Sequence, residues 1–204
     1  MKKNVLIIFA IIITLFFGDR FIRPGIESSE DEKKKEETKI NRDELEAEDY
    51  EKIFKKAMKE AEGFGIKDRD IESWVVRQIA YRTVDNKPAL NKQALINEAM
   101  EKVQYADAYM EYAEAKYGVS VSEQEMEALA EEELSQVYAK AYGVTPKEAL
   151  LKIERKSLKQ AATLKKLFPI LKEEYNTDDD HVVLSEYASE VENFMAGNGM
   201  GSNT

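Results

Sequence analysis

From residue 50 onward, apolar side chains recur at intervals of three and four, the spacing of helices that bury one face. Tyr50, Ile53, Phe54, Ala57, Met58 and Ala61 predict a first helix that stops near Gly63 and Gly65. Ile71, Trp74, Val75 and Ile79, with Tyr81, predict a second from about Asp68. Asp85-Asn86-Lys87-Pro88 then breaks the chain, because proline lacks an amide donor and pushes its predecessor out of helical space. The clearest segment runs from roughly 90 to 117, where Ile96, Ala99, Val103, Ala106, Met110, Ala113 and Tyr117 make a packing seam. The pattern leaves open whether this seam packs within the chain or across a homodimer. A fourth helix over 122–142 offers Met126, Leu129, Ala130, Leu134, Val137 and Ala141. The fifth, from Pro146, offers Leu150, Ile153, Ala161, Leu164, Phe168 and Leu171, with Pro169 expected to kink or divide it. A last helix over about 180–196 carries Val182, Val183, Tyr187, Val191 and Phe194. β-Branched alternation is scarce outside the N-terminus, so the expected fold class is all-α, a multi-helix domain.

The joints between helices are written as explicitly as the helices. Tyr117-Gly118-Val119-Ser120-Val121-Ser122-Glu123-Gln124-Glu125 and Tyr142-Gly143-Val144-Thr145-Pro146-Lys147-Glu148 each join a helix stop to a helix start. Glycine past the last helical residue takes the left-handed conformation without a Cβ penalty, and the following valine folds back on the helix just ended. Ser122 with Glu125, and Thr145 with Glu148, read as capping boxes, the second with proline at the first helical position. Phe64-Gly65-Ile66 ahead of Asp68 is a looser version of the same joint. Asn41, with Glu44 three residues on, reads as the cap that opens the helical body.

The N-terminus departs from this pattern. Met1-Lys2-Lys3-Asn4 precedes an apolar run from Val5 to Phe17, a length that fits a secretory signal and is short for a membrane span. Leu15-Phe16-Phe17-Gly18-Asp19 lacks the small residues that signal peptidase prefers, and Phe21 and Ile22 extend the apolar stretch, so residues 5–22 also read as an uncleaved membrane anchor. Either way the positive-inside rule places the remainder outside the cytoplasm, at the outer face of the cytoplasmic membrane or secreted. The expected organisation is a signal peptide or anchor over 1–23, a charged solvated linker over 24–42, a helical domain over 43–196 and a flexible tail over 197–204.

Charge and composition narrow the chemistry. The chain of 204 residues carries a formal charge of −10, and because residues 1–26 are net basic, the remainder is more acidic still. Such a body repels phosphate backbones, so no nucleic-acid partner is expected. Cysteine is absent, which excludes disulfides, thiol catalysis and thiolate metal sites. Asp178-Asp179-Asp180-His181 has metal-ligating residue types but lacks the alternating ligands, glycine and distal glutamate of a calcium loop, and reads instead as acidic residues favouring a helix N-terminus. Phosphate-binding loops, zinc-protease motifs and nucleophile elbows are missing, and one histidine limits any general-base constellation. No catalytic residue, metal or cofactor is therefore assigned.

One surface feature suggests binding. Tyr105, Tyr109 and Tyr112 fall at i, i+4 and i+7, each one residue before a seam position and so rotated about 100° from the seam. With Tyr81, Met100 and Tyr138 they are the candidate peptide-binding residues, because tyrosine gives amphipathic contact at small entropy cost and methionine repacks around varied partners. The alternative is that these tyrosines flank the core with wet hydroxyls.

The run from Asn91 to Met100, and Ala113 onward through the Tyr117-Gly118-Val119 joint to Glu125, resembles the helical N-terminal domain of the SurA and PrsA class of extracytoplasmic chaperones and foldases. The later Tyr142-Gly143-Val144-Thr145-Pro146 resembles that family's second turn, and the likeness covers roughly residues 45–175. It rests on caps and packing positions. What the resemblance implies is a cradle of helices that holds unfolded or extended exported polypeptide. The family commonly adds a parvulin-type prolyl isomerase domain with a glycine-rich signature and a histidine cluster. Here about thirty residues follow Tyr175, with no Gly-Gly pair and His181 alone. The expectation is therefore the binding half without catalysis. A dedicated assembly subunit of an envelope complex is the competing reading, and an active prolyl isomerase a third and weaker one.

Overall fold

A helix leaves four amide donors open at its start and four carbonyls at its end, and the side chains that satisfy them set most boundaries here. The computed structural model describes residues 47–132, 139–140 and 142–200, all within a unit spanning Ile40–Thr204. The N-terminal apolar run, the linker, the Asn41 cap and residues 133–138 and 141, Tyr138 among them, lie outside the described residues. The described secondary structure is all helix, as the periodicity requires.

Helix α1 (Ala47–Glu62) packs on α2 (Arg69–Val84) with buried Phe54, Ala57 and Ala61. Asp68 caps α2 by accepting from the amides of Asp70 and Ile71 at 2.9 and 3.0 Å, and the helix ends at Asp85, ahead of Pro88. Asn91 caps α3 (Lys92–Tyr117), whose 26 residues extend roughly 39 Å. At its far end Gly118 has φ +66°, and the amides of Gly118 and Val119 return to the carbonyls of Glu114 and Ala113, the Schellman closure that the joint predicts. Both capping boxes form: Glu125 accepts from the Ser122 amide at 2.8 Å, and Glu148 from the Thr145 amide at 3.2 Å. They open α4 (Glu123–Glu132) and the single turn α5 (Pro146–Glu148).

Beyond α5 the chain departs from the expected continuous helix. Ala149–Ile153 forms a π-helical turn, Glu154 leaves helical geometry at φ −97°, and α6 (Arg155–Glu174) restarts. A π turn inserts one residue into the helical repeat and so rotates the helix beyond it. In α6 the expected Ala161, Leu164 and Leu171 are buried, and Leu167, which lies between Leu164 and Leu171 on the same face, is buried where Phe168 is only half-buried. Pro169 does not divide α6, which runs unbroken to Glu174 with the proline exposed. Asp179 caps α7 (Asp180–Gly197), accepting from the amides of His181 and Val182.

Helix α3 organises the rest. It packs against α2, α6 and α7, while α4 lies on α6 and α6 against α7. Three partners bury more of its circumference than one seam supplies. The buried positions are Leu95, Ala99, Ala106, Ala108, Tyr109 and Ala113, whereas Ile96, Val103 and Met110 of the expected seam are half-buried. The seam is thus turned toward the tyrosine flank.

Candidate functional site

The turned seam decides the fate of the tyrosine stripe. Tyr109 is 6 % exposed, and Tyr105 and Tyr112 on the same flank of α3 are half-buried. As folded, Tyr109 offers no surface to a ligand. Tyr187 of α7 meets the Tyr109 ring edge-on at 4.7 Å between centroids and donates its hydroxyl to the Tyr109 carbonyl at 2.8 Å. Phe194, further along α7, lies 5.3 Å from the Tyr112 ring. Tyr105 stands beside Tyr109 at 6.4 Å.

The remaining predicted residues are elsewhere. Met100 is 43 % exposed, and five residues of helix separate it from Tyr105, so the two face directions about 140° apart. Tyr81 is half-buried with its ring edge-on to Phe54 of α1 at 5.8 Å. Tyr138 lies outside the described residues. The structure therefore brings three of the six together, at the α3–α7 contact, and places Met100 on a different flank.

Glu190 of α7 gathers the polar edge of this contact. Its carboxylate accepts from Lys116 Nζ at 2.7 Å, Tyr117 Oη at 2.9 Å and Tyr112 Oη at 3.2 Å, and Tyr175 Oη lies 3.5 Å from that of Tyr117. Partial burial works to raise the Glu190 carboxyl, but hydrogen bonds from Lys116, Tyr117 and Tyr175 outweigh it and hold the group below the ordinary carboxylate range. Burial pushes the Tyr109, Tyr105 and Tyr187 phenols upward, so all three stay protonated at neutral pH. No sequence signal singled out Glu190 among forty acidic residues; its role follows from where α7 docks.

Because the Glu190 pKa is depressed on folding, its bonds stabilise the protein above the unfolded glutamate value of about 4.3 and are lost as pH falls through the folded value. Stability of the native chain against urea should therefore fall steadily below about pH 4.3. Glu190→Gln should show a shallower acid slope. Equal slopes would mean that Glu190 carries none of the acid sensitivity.

A second polar cluster joins α2 to the restart of α6. Arg77 and Glu154, both buried, pair at 3.2 Å. Ser73 Oγ donates to Glu154 at 2.8 Å, Arg77 Nη1 donates to Ser157 Oγ at 2.7 Å, and the guanidinium lies 4.0 Å over the Trp74 ring. Trp74 is thus a core residue, as its helical position implies. At the rim Lys156 bridges Asp107 at 2.8 Å and Asp70 at 3.2 Å. These side chains fill their own cleft and leave no room for a ligand. The π turn brings Glu154 to Arg77, which periodicity alone did not predict.

Asp178, Asp179 and His181 are exposed at the start of α7, where Asp179 serves as the cap and Asp180 pairs with Lys172 at 2.7 Å. Among the described residues no group of three or more histidines and acids is placed to hold a metal ion, and no helix is long and apolar enough to cross a membrane. No family model, curated protein or solved structure matches the chain.

Proposed function

We propose that the protein is an extracytoplasmic chaperone-like helical domain, membrane-tethered or secreted, that binds unfolded or extended exported polypeptide without catalysis, in the manner of the SurA and PrsA helical domains that its joints resemble. The observation that carries this reading is the apolar flank of α3: exposed Met100 lies between half-buried Ile96 and Val103 at i−4 and i+3. A flexible thioether among aliphatic side chains accepts varied apolar segments without demanding one shape. The flank sits on a helix held by three partners, so the surface is presented by a rigid element.

The test is suppression of aggregation of an unrelated unfolded client by the full chain in detergent. Met100→Glu introduces charge at an exposed position and should weaken protection by about threefold or more without lowering the unfolding midpoint. Absence of protection by the unaltered protein would overturn the reading. Recovery of one stoichiometric folded partner in place of varied clients would favour the assembly-subunit alternative.

A further inference from the structure

Three observations set α7 apart from a helix that only completes a core. Its contact with α3 is built at one edge from phenols and a single carboxylate, with Lys116, Tyr112 and Tyr117 converging on Glu190. Aromatic groups with polar tips of this kind are enriched at surfaces where proteins meet. Beneath α7 the Tyr109 hydroxyl is buried without a hydrogen-bond partner, so the closed arrangement leaves a donor dry that an open one would hydrate. The link from α6 turns at Asn176, at φ +49°, a left-handed residue that ends α6 with the amides of Asn176 and Thr177 on the carbonyls of Glu173 and Lys172, so α6 closes on itself and α7 does not continue its backbone ladder.

We infer that α7 is a cover that opens as a unit over Tyr105, Tyr109 and Tyr112, with Glu190 as its clasp. The surface uncovered takes a helix patterned as α7 is: an aromatic at Tyr187, a carboxylate three residues on at Glu190 and a second aromatic at Phe194. Such a helix lays its rings against Tyr109 and Tyr112 and its carboxylate on Lys116 and Tyr117. Val183, Leu184, Tyr187, Ala188 and Val191 are buried, so the closed form predominates and a client gains access by competing with α7. The role as a client site rests on the chaperone reading; the opening itself does not.

Amide hydrogen exchange on the full chain tests this, with a synthetic peptide of residues 178–200 as the probe. In the unaltered protein, α7 amides should exchange through an opening that leaves α2 and α6 protected. Glu190→Gln, which loses charge-assisted bonds, should speed α7 exchange and tighten binding of the probe peptide by about tenfold. Exchange of α7 and α6 at one common rate in the unaltered protein overturns the inference, and this arm stands even if the variant does not fold. Failure of the peptide to bind folded Glu190→Gln also overturns it. Separate opening and peptide binding, with unrelated clients left unprotected, would support the cover and overturn only the chaperone reading. Client protection with no separate opening would do the reverse.

Discussion

Glu154→Ala is expected to lower the free energy of unfolding by about 3–5 kcal/mol, because it leaves the buried Arg77 guanidinium without its opposing charge. Arg77 would keep its bonds to Ser157 and to the Ser73 backbone, and the Trp74 ring beneath it, but none of these carries the opposing charge. Urea unfolding with an unchanged slope gives the measurement. The double replacement Arg77→Met with Glu154→Leu should recover most of the loss, since removing both charges also removes the cost of burying them. A loss below about 1 kcal/mol for Glu154→Ala would place the pair among solvent-exposed bridges. If the double variant were no better than the single one, the π turn itself would depend on the charges.

Tyr187→Ala should cost about as much, in the range of 3–5 kcal/mol, by opening a cavity among Tyr109, Tyr112 and Tyr117. Tyr187 is among the largest fully buried side chains, and a cavity between rings fixed on a helix does not collapse cheaply. Tyr187→Phe keeps the ring and loses only the bond to the Tyr109 carbonyl, for which about 1 kcal/mol is expected. The difference between the two variants separates packing from hydrogen bonding. Near-equal losses would mean that the hydroxyl, not the ring, holds α7 in place.

Local signals predicted local structure well. Ser122 with Glu125, and Thr145 with Glu148, cap as their spacing implies, and Asp68 caps the helix expected to start there, because a cap is made between residues three apart or fewer and depends on little else. Gly118 and Gly143 are left-handed for the same reason. The candidate site was only partly legible. Tyr105, Tyr109 and Tyr112 share a flank as spacing required, yet spacing does not say what covers a flank. Burying Tyr109 took α7, more than seventy residues away, and Tyr187 with it. Met100 and Tyr81 share only residue type with the stripe, and type carries no direction; helix geometry sets Met100 apart.

Helical character, the places where most helices start and stop, and an acidic composition without thiol chemistry can all be read directly from residue order and composition. These depend on backbone groups meeting side chains a turn away, and on residue counts. The packing of distant elements sets which of two flanks of α3 faces inward, where the chain adds a π turn, and which two of many charges become the buried Arg77–Glu154 pair. An exposed Lys–Glu pair and a buried Arg–Glu pair look alike in sequence. The cost of removing one partner differs between them by several kcal/mol, because in the buried pair the charge left behind has no water to solvate it. Burial is a property of the elements that pack alongside, and no window of neighbouring residues contains it.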